Sequence, residues 1–332
     1  MSVFKNEEVL YPEYLPNNLP HRENQIKFLA DCINILAKNQ RSSNIFIYGP
    51  PGVGKTAVVR FVLKEFESYS GIRCIYINCW EFNTSFSIIF EILRQLGVFS
   101  PRRGIAKDEI FTKLVEYLDK SKNNLVVALD EIDILISKDQ EVIYDLVRIG
   151  NYTRQKILLI LISNNKYALR SLEERIKSSL NLEEIEFKPY TFLEMKEIVE
   201  ERMRLAFRSY EEGVSAIVAN KAVERGGDVR IALNILLKAG RIAKEKLTIE
   251  DVKLVLKQND INFNNILKLE EREKLVLETF ETPKSIRQAY DELKEKLNVS
   301  ERTLRRIVDN LIAKNLLREI GYQNKEKIFA RK

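Results

Sequence analysis

Short apolar runs alternate with longer amphipathic stretches from about residue 22 to residue 187. The runs, at 44–48, 73–78, 124–130, 157–163 and 183–187, have the length and composition of buried strands. The stretches between them, at about 22–39, 55–69, 84–97, 107–120 and 139–150, carry apolar residues at helical spacing. Strands that alternate with helices in this way predict a parallel α/β sheet. From Thr191 the strand signal stops. Four amphipathic helices follow, at about 191–209, 214–225, 228–245 and 248–257. Thr191-Phe192-Leu193-Glu194 is a capping box for the first, and Gly226-Gly227 separates the second from the third. The polar stretch from Lys257 to Asn262 reads as a linker. Beyond it come helices at about 265–280, 284–297 and 300–314, then two short strands around Gly321, with Ser285 and Ser300 as N-caps. On the last helix Leu304, Ile307, Val308 and Leu311 share one face, and Arg302, Arg306 and Asn310 share another.

The loops after two of the strands carry chemistry. Gly49-Pro50-Pro51-Gly52-Val53-Gly54-Lys55-Thr56 fits the phosphate-loop pattern, and it lies between a strand and a helix start as that pattern requires. Glycines let the backbone approach phosphates, and the helix N-terminus supplies free N–H groups. Gly52, Val53, Gly54, Lys55, Thr56 and Ala57 are the expected nucleotide contacts. Lys55 would reach the β/γ-phosphates and the Thr56 hydroxyl would bind Mg²⁺. Leu125-Val126-Val127-Ala128-Leu129 ends in Asp130-Glu131, an acid pair at the carboxyl end of a buried strand. Asp130 would hold the Mg²⁺ shell, and Glu131 would orient or deprotonate a water. An acid pair after a strand is weak evidence by itself, often no more than charge at a helix start. At this distance from a phosphate loop it is strong.

Composition narrows the rest. A chain of 332 residues is long for one core, so two or three domains are expected. No apolar run approaches a membrane span, and the acidic start does not resemble a signal peptide. Cys32, Cys74 and Cys79 form no paired motif, and His21 is the only histidine. Zinc sites, a disulfide framework and Ser-His-Asp chemistry are therefore not indicated, and a cytoplasmic location is expected. The net charge of +6 is concentrated near the end, where residues 300–332 hold nine Lys/Arg against four Asp/Glu. A basic C-terminal segment on three helices and a hairpin reads as a winged helix-turn-helix for duplex DNA. Helix 300–314 would enter the major groove with Arg302, Arg306 and Asn310, and Lys325 and Lys327 would lie on the wing. The plain alternative is a solvated charged surface, since Lys and Glu are abundant throughout.

Together these motifs resemble the archaeal replication initiators, AAA+ ATPases related to the origin recognition complex and its cell-division-cycle loader protein. The resemblance runs from about Tyr11 to the C-terminus. Pro16-Asn17-Asn18-Leu19-Pro20-His21-Arg22-Glu23 is similar to the family's adenine-covering segment. Ile162-Ser163-Asn164-Asn165 resembles its sensor 1, Arg175-Ile176-Lys177-Ser178-Ser179-Leu180 its arginine box, and Gly227-Asp228-Val229-Arg230 its sensor 2. The resemblance implies that Asn164 fixes the attacking water beside Glu131 and that Arg230 reports the γ-phosphate. It implies that Arg175 acts as a finger on a neighbouring subunit's nucleotide; a helix-capping or core-edge arginine is the equal alternative. Tyr190 and Arg202 are placed in the nucleotide pocket, with interdomain packing as the rival role for Tyr190. Residues 80–107, with Arg94, Arg102, Arg103 and Lys107, correspond to a helical insertion that touches DNA in the family; a solvated loop is the even alternative.

The expected organisation is a RecA-like AAA+ domain over 1–188, an all-α lid over 189–262 and a winged helix over 263–332. The expected function is an ATP-regulated initiator that binds duplex origin DNA and helps recruit the replicative helicase, with other initiator subunits alongside it on DNA and no membrane partner. ATP and ADP with Mg²⁺ would act as a switch with slow hydrolysis. Two rivals share the ATPase motifs: a winged-helix AAA+ ATPase acting in transcription, and a clamp-loader-like assembly ATPase. Such loader subunits lack a C-terminal winged helix.

Overall fold

A computed structural model describes residues 2–40, 42–101, 106–257, 275–276, 279–280, 282–297, 300–313, 317–323 and 326–331. The chain divides into two compact units, Met1–Val252 and Lys253–Lys332.

In the first unit five parallel strands, β1 (Asn44–Tyr48), β2 (Arg73–Asn78), β3 (Leu125–Asp130), β4 (Ile157–Ser163) and β5 (Leu182–Glu186), form a sheet in the order β2-β3-β4-β1-β5. The burial of each strand follows this order. Central β3 and β4 are buried along nearly their whole length, whereas edge strand β5, Leu-Glu-Glu-Ile-Glu, turns carboxylates to solvent. Charged edges of this kind resist pairing with other chains. Alternate residues feed two cores. Val127, Leu129, Leu159 and Leu161 pack against α3 (Ser85–Gln95), α4 (Lys107–Ser121) and α6 (Glu141–Val147). Val126, Ala128, Leu158 and Ile160 face α1 (Glu23–Ala37) and α2 (Lys55–Tyr69). Burying both faces is what makes these strands read as unbroken apolar runs.

The predicted helix over 139–150 forms as α6, and a break at Asp139 separates it from a further helix that the pattern does not predict. That helix, α5 (Ile132–Lys138), starts directly after Glu131, α6 follows it, and a short 3₁₀ turn covers Ile149–Asn151. Asp139 explains the break. Its carboxylate accepts the Ser85 amide at 2.6 Å and the Ser85 hydroxyl at 2.7 Å, which holds residue 139 off the helical path. The α7 helix (Glu174–Ser179) precedes β5.

After Phe187 come α8 (Phe192–Ala206), α9 (Val214–Glu224), α10 (Val229–Ile242) and a further helix, α11, at 249–257. The Thr191 capping box forms in full. The N-terminal segment is tied to this helical layer. The Lys5 amide donates to Ala206 O, the Phe4 ring stacks on Phe207 at 5.0 Å, and Arg241 pairs with Glu7 at 2.6 Å. A Cβ on Gly240 would lie 2.4 Å from Phe4 Cζ, so glycine is what admits the ring.

The second unit contains β6 (Lys284–Ser285), α12 (Ile286–Leu297), α13 (Glu301–Ala313), β7 (Leu317–Gln323) and β8 (Glu326–Arg331). The strands pair antiparallel in the order β6-β8-β7. Ser285 and Ser300 cap their helices, accepting from the Gln288 and Thr303 amides. Leu304, Ile307, Val308 and Leu311 enter one buried cluster with Phe280, Leu317 and Phe329. Gly321 is not the turn between the strands. It lies inside β7, at a register shift between Glu319 and Gly321, so the glycine marks a bulge. Most of the predicted 265–280 helix lies outside the described residues, as does the predicted 257–262 linker apart from Lys257, which belongs to α11.

Candidate functional site

The carboxyl ends of β1, β3 and β4 adjoin because β4 lies between β3 and β1. Three sequence-distant loops therefore meet at one place, where an open α/β sheet receives ligands. The loop after β1 turns through Gly52 and Gly54, at φ +74° and +90°, values that other residues adopt only under strain. It delivers Lys55 and Thr56 as the first residues of α2.

Lys55 is buried, and its Nζ donates to Gly49 O at 2.7 Å, Pro50 O at 2.8 Å and Asn164 Oδ1 at 2.8 Å. Burial lowers its pKa to about 8, against the opposing pull of Asp130 and Glu131. Asn164 Nδ2 in turn donates to both Glu131 oxygens, at 3.2 and 3.1 Å. The ammonium, the amide and the carboxylate thus form one chain. Glu131 holds φ +55°, unusual for a side-chain-bearing residue, at the step from β3 into α5. Local strain of this kind gathers at functional sites. Burial first, and then Asp130, raise the Glu131 pKa above the usual carboxylate range, while Asn164 opposes them. A raised carboxylate is a better proton acceptor.

Asp130 sits beside this chain. Thr56 Oγ1 donates to its Oδ2 at 2.6 Å, and Tyr76 Oη donates to the same oxygen at 2.8 Å. The Glu131 amide donates to Oδ1 at 2.9 Å. Thr56 and Asp130 offer two hard oxygen donors side by side, as a small divalent cation also held by phosphates and waters needs. Among the described residues no three His, Cys, Asp or Glu gather to hold a metal by themselves.

A cavity of about 320 Å³ opens over these groups. Its other walls include Tyr11, Tyr14, Asn18 and Pro20 from the N-terminal segment, Tyr190, Ile198 and Arg202 around α8, and Val229, Arg230 and Leu233 of α10. Gly52, Gly54, Lys55, Thr56, Ala57, Asp130, Glu131, Asn164, Tyr190, Arg202 and Arg230 all line it. Val53, in the same loop, is buried and does not line the cavity. Arg202 is buried, with its guanidinium 5.1 Å from the Tyr14 ring and within 3.4 Å of Val9 O. Arg230 is forked on Asp228 at 2.7 to 3.2 Å. Arg175 lies elsewhere, on the surface, paired with Glu173 at 2.6 Å and Glu141 at 3.6 Å, and does not line this chain's cavity.

Two residues escape sequence reasoning. Tyr76 adjoins Asp130 only because the strand order sets β2 beside β3, which no motif spacing reveals. Arg22 is buried and donates to Val53 O at 3.1 and 3.0 Å and to Lys188 O at 2.9 Å, with its guanidinium 3.8 Å above the Tyr190 ring. It ties the phosphate loop to the entry of the helical layer. Its sequence signal is its place in the Pro16–Glu23 segment, which gives it no role of its own. Arg22→Met should leave both carbonyls without partners and lower unfolding stability by about 2 kcal/mol, measured by urea denaturation. An unchanged midpoint would show that the tie carries nothing.

On α13 Arg302 and Arg306 are exposed, while Asn310 belongs to the helix but its side chain lies outside the described residues. Lys327 is exposed on β8 and pairs with Glu319 at 2.9 Å; Lys325 lies outside the described residues. In the 80–107 segment Arg94 is paired with buried Glu91 at 2.6 Å, and Lys107 with Glu141 and Asp145 at 3.0 and 3.2 Å. Arg102 and Arg103 lie outside the described residues. Among the described residues no helix is long and apolar enough to cross a membrane.

A phosphate loop, an acid pair and a helical layer closing one cavity define an AAA+ ATPase with a lid. Comparison with known proteins agrees. The AAA domain family matches residues 38–170, and the Cdc6 AAA+ ATPase-type lid domain family matches residues 196–253. The ORC1-type DNA replication protein of Desulfurococcus amylolyticus is 35% identical over 291 residues, covering 83% of this chain and 74% of that protein. ORC1-type DNA replication protein 1 of Sulfurisphaera tokodaii is 38% identical over 261 residues, covering 75% of this chain and 65% of the relative's own length. A solved structure, that of the Aeropyrum pernix ORC1 protein in complex with DNA, has a TM-score of 0.75 at 27% identity, covering 99% of this chain and 93% of that one. The chain belongs to the family of ORC1-type DNA replication proteins.

Proposed function

We propose that this chain is a replication initiator that binds duplex origin DNA under the control of bound ATP or ADP, and that it helps recruit the replicative helicase. The observation that carries the ATP reading is the continuous chain Lys55–Asn164–Glu131, beside the Thr56–Asp130 pair and under Arg230 of the lid. Lys55 and the loop amides hold phosphates. Asn164 and Glu131 position a water, and Glu131 takes its proton. Mg²⁺, held by Thr56 and Asp130, would supply charge neutralisation at the phosphates. Arg230, on the lid, couples occupancy of the cavity to the position of α10. Lys55 and Arg230 already hold protein acceptors, which suits a slow switch better than a motor.

For DNA, the reading rests on the family and on α13, whose apolar face is buried while Arg302 and Arg306 stand exposed. A winged helix over 263–332 would place α13 in the major groove and Lys325 and Lys327 along the backbone. Arg175 would complete the nucleotide site of a neighbouring subunit on DNA. Deleting residues 263–332 should abolish specific footprints, and each lost phosphate contact should flatten the slope of log K against log salt by about 0.9. An unchanged slope in the truncated protein would leave the Met1–Val252 unit as the sole binder.

A further inference from the structure

The first turn of α10 rests directly on the phosphate loop. The Val229 amide donates to Gly52 O at 3.1 Å. A Cβ on Gly52 would lie 1.7 Å from Asp228 Oδ1, so the Asp228 carboxylate occupies the space that a side chain at 52 would fill. An acid therefore sits on the loop that the sequence builds to attract anions. Asp228 is also the N-cap of α10, its Oδ1 accepting the Arg230 amide at 2.9 Å. Capping does not require this charge, because asparagine and serine cap as well as aspartate does. What the charge adds is the fork with Arg230, whose Nε lies 3.0 and 3.2 Å, and whose Nη2 lies 2.7 Å, from the two carboxylate oxygens. Among the described residues Asp228 is the side-chain anion that accepts hydrogen bonds from this guanidinium, and Arg230 also lines the cavity with Lys55, Glu131 and Asn164.

We propose that Asp228 is a specificity-determining residue that competes with the terminal phosphate of a bound nucleotide for Arg230, and so sets how strongly ATP is distinguished from ADP. This rests on the nucleotide-site reading above. A guanidinium has one fork to offer, and both a carboxylate and a phosphate fit it. When the nucleotide carries a third phosphate, Arg230 must leave Asp228 to reach it, and the cost of parting the pair is subtracted from ATP binding. ADP leaves the pair intact. Repulsion between Asp228 and the phosphates nearer the loop would act on both nucleotides alike, so the two effects separate in the ratio of affinities.

The test is equilibrium calorimetry with ADP and with a non-hydrolysable ATP analogue, in Mg²⁺, on the full chain and on Asp228→Asn, Arg230→Ala and the double variant. Asp228→Asn keeps the cap and removes the charge. It should raise affinity for the ATP analogue relative to ADP by about fivefold, the upper end for a partly exposed ion pair. Asp228→Ser, a second uncharged cap, should do the same. Arg230→Ala should lower that ratio, and adding Asp228→Asn to it should leave the ratio unmoved, because the competition needs the arginine. Equal shifts for both nucleotides, or weaker binding of the ATP analogue, would overturn the assignment of Asp228 and leave the nucleotide site standing. Binding of neither nucleotide by the unaltered chain would overturn the nucleotide-site reading, and the assignment with it.

Discussion

Glu131→Gln should bind ATP with nearly unchanged affinity and turn it over about 10²- to 10⁴-fold more slowly, the range for losing a positioned base. The glutamine amide fits the same space and keeps a hydrogen bond to Asn164, so the chain from Lys55 survives. What disappears is the acceptor for the proton of water. Burial and the neighbouring Asp130 raise the pKa of Glu131, which favours it as a proton acceptor. Asp130, tied by Thr56, Tyr76 and the Glu131 amide, is the fixed one. Single-turnover hydrolysis beside calorimetric ATP binding checks this division. A parallel loss of both would move Glu131 from proton acceptor to structural support.

Lys55→Ala should fail at the earlier step. Its ammonium is held inside the loop by Gly49 O and Pro50 O, and a buried charge-assisted contact of this kind contributes about 3 kcal/mol, or roughly a hundredfold in affinity. The loss has two parts. The phosphates lose their partner, and Asp130 and Glu131 lose the positive charge that now offsets them. Nucleotide affinity within threefold of the unaltered chain would show that the loop amides alone suffice.

The parts of this site that the sequence reveals are those whose backbone demands a residue type. A loop that turns through φ +74° and +90° needs glycine at 52 and 54, and a strand buried on both faces must be apolar until it reaches its acids. Asn164 and Arg230 are legible only through the family resemblance, by their order along the chain. Tyr76 and Arg22 are not, because each acts through a partner brought near only by strand order or by the docking of the N-terminal segment. The same gap explains the helix break at Asp139, decided by Ser85 from another element, and the bulge at Gly321, where a glycine between two strands reads as a turn until the register is known. Charge counting is weak for a related reason. Arg94, Lys107 and Lys327 are basic in sequence, yet each already faces a carboxylate, so DNA contact there would first have to part an ion pair.

The central claim, an initiator that reads origin DNA through its C-terminal unit under nucleotide control, is tested most directly by footprinting the full chain on origin-containing and promoter-containing fragments of the source genome, with ATP and with ADP. The account predicts protection at discrete sites in the origin fragments, dependent on residues 263–332 and different in extent between the two nucleotides. Protection confined to promoter fragments, or footprints identical with ATP, with ADP and after removal of residues 263–332, would contradict it.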